Sequence, residues 1–333
     1  MIAAPDSTTG LRPDALARRS PFRLPPPGAP LRLAFAGQST FFRACALGDE
    51  ARGVRTTFIE FRKDGDAERM RAALEAFAPH VVVVFRPEIV PAGLLSGLRA
   101  AIVGFLTEPL PRTLAGDIHE DLGRRKWELD HVDPGNFDRV VSFDPYIAET
   151  ATGAVPVWRS MPLPVADRYY GAVRPVRSPP RALFVGRSTP HREWMLAQAK
   201  HEFDVVHYAF GVDADELATL MAEHEIAVNV HNQRYLSFEN RVALHLAAGH
   251  LVLTEPLSPT HGLEKGIDYV EIDTPGALHL QLERLARYPE MHHNVRVRGR
   301  RKAEQFRASR VYPRLVADVF ADLAAFGSPR SPA

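Results

Sequence analysis

Short apolar runs alternate with stretches of helical periodicity along most of this chain. Runs of the length of a buried strand fall at 31–36, 55–61, 80–85, 101–106 and 139–143, and the clearest helical pattern between them spans 67–78. Strands that alternate with helices imply right-handed crossovers and a parallel sheet covered on both faces. Prolines cluster at 156, 162, 164, 175, 179 and 180, and helical periodicity disappears there. The alternation then restarts, with strands predicted at 181–185, 204–208, 226–230, 251–254 and 269–272. Helices are predicted from Pro190, at 213–223 and at 240–248, with two more at the end of the chain. The fold class is α/β: two Rossmann-like domains facing across a cleft, with ligands expected outside the carboxyl ends of the strands. The predicted divisions are a disordered proline-rich leader at 1–30, an N-terminal domain at 31–165, a linker at 166–180, a C-terminal domain at 181–310, and a closing helix with tail at 311–333.

Composition narrows the function classes. A chain of 333 residues, 45% of them hydrophobic, has the length of two domains of about 150 residues. The 41 lysines and arginines against 40 acids give a net charge of +1, so no whole-protein field draws the chain to nucleic acid or to anionic membrane. Cys45 is the only cysteine, which excludes an intramolecular disulfide framework and a multi-cysteine zinc site and fits a reducing compartment. No apolar run approaches the ~20 residues that cross a bilayer, and the N-terminal segment, with Asp6 and no long apolar core, does not read as a secretory signal. The expected location is the cytoplasm.

The densest chemistry lies at 226–273. A strand ends at Val230 and hands over to His231, Asn232, Gln233 and Arg234, where an open α/β sheet binds ligands. Glu239 and Asn240 can cap the next helix, on which Arg241 and His245 stand four residues apart, while Val242 and Leu246 suit a core. The unpaired N–H groups of a helix start carry about half a positive charge, and Arg241 adds a fixed cation, so a diphosphate would be well served.

The order Asn229-Val230-His231-Asn232, then Asn240-Arg241, then Leu246-Ala247-Ala248-Gly249 before a strand ending Thr254-Glu255, resembles the group 1 glycosyltransferase superfamily, in particular its spore-maturation-type branch. The resemblance extends over about 182–323 and, by architecture alone, over 31–164. It implies the GT-B architecture, an acceptor domain followed by a nucleotide-sugar donor domain, and a last helix that crosses back to the first domain. It also implies that the helix bearing Arg241 faces the donor ribose and diphosphate, and that the loop with Thr260, His261 and Gly262 reaches the sugar or phosphate. One departure concerns His245, which stands where many relatives carry the glutamate that holds the ribose. It is taken as a catalytic-site residue that can hydrogen-bond the ribose but not as an anion.

The turn Gly186-Arg187-Ser188-Thr189 follows the first strand of the second domain, and Thr189-Pro190 reads as a cap and first helical residue. Glycine admits phosphate close to the backbone, and Arg187, His191 and Arg192 can neutralise it. The corresponding turn of the first domain, Gly37-Gln38-Ser39-Thr40, falls on the acceptor side. Glu108 and Asp144 each follow a strand and are alternative general bases for an acceptor hydroxyl. Gly-x-Gly-x-x-Gly, Gly-Lys-Ser/Thr and Gly-x-Ser-x-Gly motifs are absent, and no Asp-x-Asp pair stands in the donor segment, so no metal is expected. The basic run 296–302 reads as an exposed helix face. The expectation is a metal-independent glycosyltransferase without cofactor, moving sugar from a nucleotide-diphosphate sugar to a hydroxyl acceptor. The alternatives are a nucleotide-sugar epimerase of the same architecture or a non-catalytic nucleotide-sugar-binding protein.

Overall fold

The structure, a computed structural model, describes residues 22–48, 53–110, 121–150 and 155–330. The first sheet contains β1 (Leu31–Gly37), β2 (Val54–Glu60), β3 (Val81–Phe85), β4 (Ala101–Leu106), β5 (Arg139–Ser142) and β6 (Val157–Ser160), ordered β2-β1-β3-β4-β5-β6 with every pairing parallel. The second holds β7 (Arg181–Val185), β8 (Asp204–Tyr208), β9 (Ile226–Asn229), β10 (Leu251–Thr254) and β11 (Val270–Glu271), ordered β11-β10-β9-β7-β8 and again parallel. The helices of the first half are α1 (Ser39–Phe42), α2 (Ala67–Phe77), α3 (Asp121–Asp130) and α4 (Pro145–Thr150). Those of the second are α5 (Pro190–Glu202), α6 (Ala214–Glu223), α7 (Asn240–Ala247), α8 (Pro275–Arg287), α9 (His293–Lys302) and α10 (Ala308–Phe326). No described helix is long and apolar enough to cross a membrane.

Local chemistry explains the elements. All five residues of β3, Val-Val-Val-Val-Phe, are buried, as expected of a strand covered on both faces. Asp66 caps α2 by accepting from Arg69 N–H, and Ala78 ends it in the left-handed region. Thr189 caps α5 ahead of Pro190 in the same way. Strand β6 was not among the predicted strands, because its residues stand in the proline-rich stretch and are only half buried at the sheet edge.

Helix α10 returns to the first sheet. The Tyr312 ring meets Phe35 edge-on at 4.8 Å and its hydroxyl donates to Cys45 O at 2.6 Å. Arg139 pairs with Asp322, and Arg159 with Asp318 at 2.7 Å. The two chain crossings between the sheets are bound to each other, with Val165 N–H on Phe306 O at 2.7 Å and Ala308 N–H on Val165 O at 2.8 Å. Arg307 bridges them, holding Asp167 at 3.1 Å and Glu304 at 2.8 Å. The Arg307 and Arg300 hydrogen bonds hold the Glu304 carboxyl down at about 2, against the opposing effect of burial.

The leader prediction is corrected at residues 22–30; residues 1–21 lie outside the described residues. Phe22 is buried and stacks on Phe320 of α10 at 5.5 Å, a partner almost three hundred residues away that no local pattern reveals.

Candidate functional site

Strands β7, β9 and β10 end side by side at Val185, Asn229 and Thr254, and α5 and α7 begin at that edge. There Gly186 has a packing role: a Cβ would lie 3.1 Å from Arg241 Nη1 and 3.3 Å from Arg192 Nη1. Both guanidinium carbons stand over the Phe184 ring, 5.3 Å (Arg192) and 5.2 Å (Arg241) from its centroid. Arg192 is buried, donating from Nε to Val230 O and from Nη1 to Arg187 O, each at 3.0 Å. Arg241 reaches Val230 O at 3.4 Å. One carboxylate serves the pair: Glu239 lies 3.2 Å from Arg241 and 3.7 Å from Arg192. Burial, then the Arg241 charge, pushes the Arg192 guanidinium down to about 9. Burial would raise the Glu239 carboxyl, yet Arg241, Arg192 and His231 together hold it below the usual range. Two cations sharing one anion, with exposed Arg187 beside them, leave this edge short of negative charge.

A second cluster adjoins it. Glu255 accepts from His231 N–H at 2.6 Å and meets His191 Nε2 at 2.8 Å. His231 Nε2 faces Pro256 O at 2.9 Å, so it carries the proton, and Nδ1 accepts from Ser237 at 3.0 Å. Thr189 donates to Asn232 O at 2.9 Å, and Asn232 Oδ1 lies 3.4 Å from Arg192. The structure therefore gathers Gly186, Arg187, His191, Arg192, His231, Asn232, Glu239 and Arg241 at one edge. Glu239 serves there as a counter-ion, since its side chain makes no helix-cap hydrogen bond.

Across the cleft, Glu108 pairs with Arg125 at 2.7 Å, Arg125 with Glu128 at 2.9 Å, and Gln233 donates to Asp121 at 3.1 Å. Tyr235 stands between the walls: burial, then the charge of Glu239, pushes its hydroxyl up to about 12, with Arg125, Glu108 and Asp121 also acting on it. Beneath Glu108 is a small cavity of about 20 Å³ that also borders Glu88, Thr107 and Arg125. Glu88 Oε2, Thr107 Oγ1 and Arg125 Nε are buried without a partner. That volume is room for about one water-sized group. Glu88, Arg125 and Tyr235 escaped the sequence reading, because only the packing of distant segments marks them, whereas Gln233 was named among the residues that follow Val230. Glu255 was noted only as part of a resemblance, although it follows a strand end like the others.

Three expectations are corrected. His245 is buried in the core, its Nδ1 3.1 Å from His250 Nδ1, while His250 Nε2 donates to Met221 O at 2.8 Å. Four residues along a helix is a rise of about 6 Å, which takes His245 from the strand ends into the packing layer. Asp144 is likewise buried, its carboxylate accepting from Leu110 N–H and Tyr146 N–H, both at 3.0 Å. It fastens two loops and does not face the cleft. Asn240 turns toward the first domain, donating to Cys45 Sγ at 3.0 Å. Gly37 packs against Phe85 and Phe42, Ser39 N–H donates to Glu60 at 2.8 Å, and Gln38 and Thr40 flank it at the end of β1. His261, in the loop of Thr260 and Gly262, has positive φ, packs on Phe238 at 4.6 Å, and leaves Nε2 buried without a partner.

Among the described residues no three His, Cys, Asp or Glu side chains gather as metal ligands. The chain has two Asp-x-Asp pairs outside the donor segment, and both begin helices: Asp66 caps α2, and Asp213 caps α6 while Asp215 pairs with Arg168 at 2.6 Å.

Two parallel α/β sheets with their strand ends facing a cleft define the GT-B fold, and solved glycosyltransferases of that fold superpose on this chain. Anabaena HepE in complex with UDP-glucose matches with TM-score 0.55 and 12% identity, over 88% of this chain and 100% of that one. Sucrose-phosphate synthase from Thermosynechococcus elongatus matches with TM-score 0.53 and 11% identity, over 87% and 99%. A glycosyltransferase from Rickettsia africae matches with TM-score 0.51 and 9% identity, over 90% and 100%. No protein-family model and no curated protein matches the sequence.

Proposed function

We propose that this protein is a glycosyltransferase that takes its sugar from a nucleotide-diphosphate donor. The observation that carries the reading is the Arg192–Arg241 pair closed around Gly186 and sharing one carboxylate, Glu239. A diphosphate supplies the missing negative charge, and its own charge grows as the glycosidic bond breaks, so fixed cations at this edge favour the transition state over the ground state. The likeness to HepE, solved with UDP-glucose, supports the same donor class. Glu108, on the opposite wall and 39% exposed, is the carboxylate placed to accept the acceptor's proton. The cavity below it leaves a donor on Arg125, an acceptor on Glu88 and the Thr107 hydroxyl, and a hydroxyl that donates to Glu88 while accepting from Arg125 and Thr107 satisfies them. Release of nucleotide that depends on sugar transfer separates this enzyme from a non-catalytic binder.

Arg241→Ala is expected to weaken donor binding roughly ten- to a hundredfold, the loss of a charge-assisted phosphate hydrogen bond of ~1.5–3 kcal/mol. Its melting point is expected to stay close to that of the unaltered chain, because Arg192 remains as partner for Glu239. Calorimetric titration with UDP-glucose beside a thermal melt checks it, and unchanged affinity overturns the assignment. The donor edge offers cations where a metal-dependent transferase would place carboxylates, so transfer is expected to survive EDTA. Activity lost on chelation and restored by manganese or magnesium contradicts that.

A further inference from the structure

At the opposite pole of the first sheet, the strands begin. Arg32 and Arg55 are the second residues of β1 and β2 and pair in register, His80 precedes β3 and Arg99 precedes β4, so the parallel order gathers them at one rim. The rim lies about 20 Å from the cleft, the length of a seven-residue strand. Residues 22–30 close over it as a strap. Phe22 anchors the strap against Phe320, Arg23 N–H donates to Arg99 O at 3.3 Å, and Leu31 N–H to Gly53 O at 2.8 Å. The open groove of about 530 Å³ is lined by Arg23, Arg32, Arg55, Arg99 and His80 together with strap residues, and among the described residues by no acid. None of the four arginines makes an ion pair with a described carboxylate, whereas the arginines of the cleft wall, Arg86, Arg124 and Arg125, are all paired.

Part of this rim is held in place. Arg32 Nε donates to Ala78 O at 2.7 Å, and Arg32 N–H donates to His80 Nδ1 at 2.9 Å, which leaves His80 as a neutral ring with its proton on Nε2. Burial, then Arg32 and Arg23, lowers the proton affinity of His80, the response of a site already crowded with positive charge. Four guanidiniums around a concave space of small-molecule size match a ligand with several phosphate oxygens, because each planar fork takes two of them.

We propose that this groove is a second anion site, remote from the donor edge, for a compact ligand bearing two or more phosphate groups, either a free small molecule or a headgroup. Tripolyphosphate titrated calorimetrically into the full chain at low ionic strength tests it. Two sites are expected in the unaltered protein, with Arg55→Glu/Arg99→Glu weakening one at least tenfold and Arg241→Ala weakening the other. A single site lost only in the Arg55→Glu/Arg99→Glu variant still supports the groove even where the donor reading fails. A single site that Arg241→Ala removes and the double variant leaves untouched overturns the groove, as does no binding. Arg55 and Arg99 are exposed, so the double variant is expected to melt normally; Arg55→Gln/Arg99→Gln replaces it if it does not. Retention on phosphatidylcholine vesicles carrying cardiolipin, whose headgroup holds two phosphates, lost in the double variant, assigns a headgroup. Tripolyphosphate binding without retention assigns a soluble ligand.

Discussion

Acidification from pH 7 to pH 5 is expected to destabilise this protein by about 6 kcal/mol, before most carboxylates titrate. Three buried histidines carry the effect. Burial, then the neighbouring His250, Arg241 and His224, lowers His245 far below the ordinary value of 6.5. Burial takes His250 down to about 3 against the help of Met221 O, with Arg174, Arg296 and His224 adding to it, and burial alone takes His261 to about 4. The hydrogen bonds show why protonation is resisted at His250: His245 Nδ1–H donates to His250 Nδ1, so a proton there would set one N–H against another across 3.1 Å. Each ring binds protons more weakly folded than unfolded. The stability it contributes is therefore complete above about pH 6.5 and lost as pH falls below it, at ~1.4 kcal/mol per pH unit. By pH 5 that is about 2 kcal/mol for each ring. Glu304, held at about 2, loses its contribution only below the ordinary carboxyl value of 4.5, so the two windows separate. Urea unfolding at pH 7, 6 and 5 measures the slope, and His245→Leu is expected to reduce it by roughly a third. Stability that stays level over this range would show that the rings take up protons without cost.

Arg330→Ala is expected to cost about 3–5 kcal/mol, the usual loss when one partner of a buried ion pair is removed. Beyond α10 the chain tucks Arg330 under the first sheet, 2.9 Å from Asp138, with both side chains almost wholly buried. Arg330 also donates to Leu95 O at 3.2 Å, Leu98 O at 3.3 Å and Ala100 O at 2.5 Å. Asp138 keeps Ile102 N–H at 2.6 Å and the Ser328 hydroxyl, which are not enough to offset a buried charge whose cation has gone. A melting point lowered by roughly 10 °C is expected. A shift of only a degree or two would mean that the tail lifts away and water reaches Asp138. Combining the substitution with Asp138→Asn distinguishes the cases, since a true pair gives a double variant less damaged than the sum of the single ones.

Much of the fold was legible because each strand carries its own signal. Strands β3 and β4 are unbroken apolar runs, β7 and β10 are apolar but for Arg181 and Thr254 at their ends, and Thr189-Pro190 marks a helix start by capping chemistry alone. The edge around Arg192 and Arg241 was legible for a related reason: in a parallel sheet the residues after each strand lie on one rim, so Gly186, His231 and the start of α7 had to assemble. Spacing on a helix was a poorer guide. The step from Arg241 to His245 keeps the face but changes the depth, and depth depends on what packs around α7.

What the sequence by itself determined is therefore the alternation of strands and helices, the two-domain α/β class, and the rim to which Arg192, Asn232 and Arg241 belong. All of these follow from short-range periodicity and from the parallel topology it imposes. Only the tertiary structure decided which charges meet: Glu239 between two arginines, Glu108 on Arg125, Arg330 beneath the first sheet, and four arginines gathered at the strand starts with no described acid among them. Ion pairs are made by side chains from distant parts of the chain, and their partners are set by how sheets and helices pack, which local sequence does not encode.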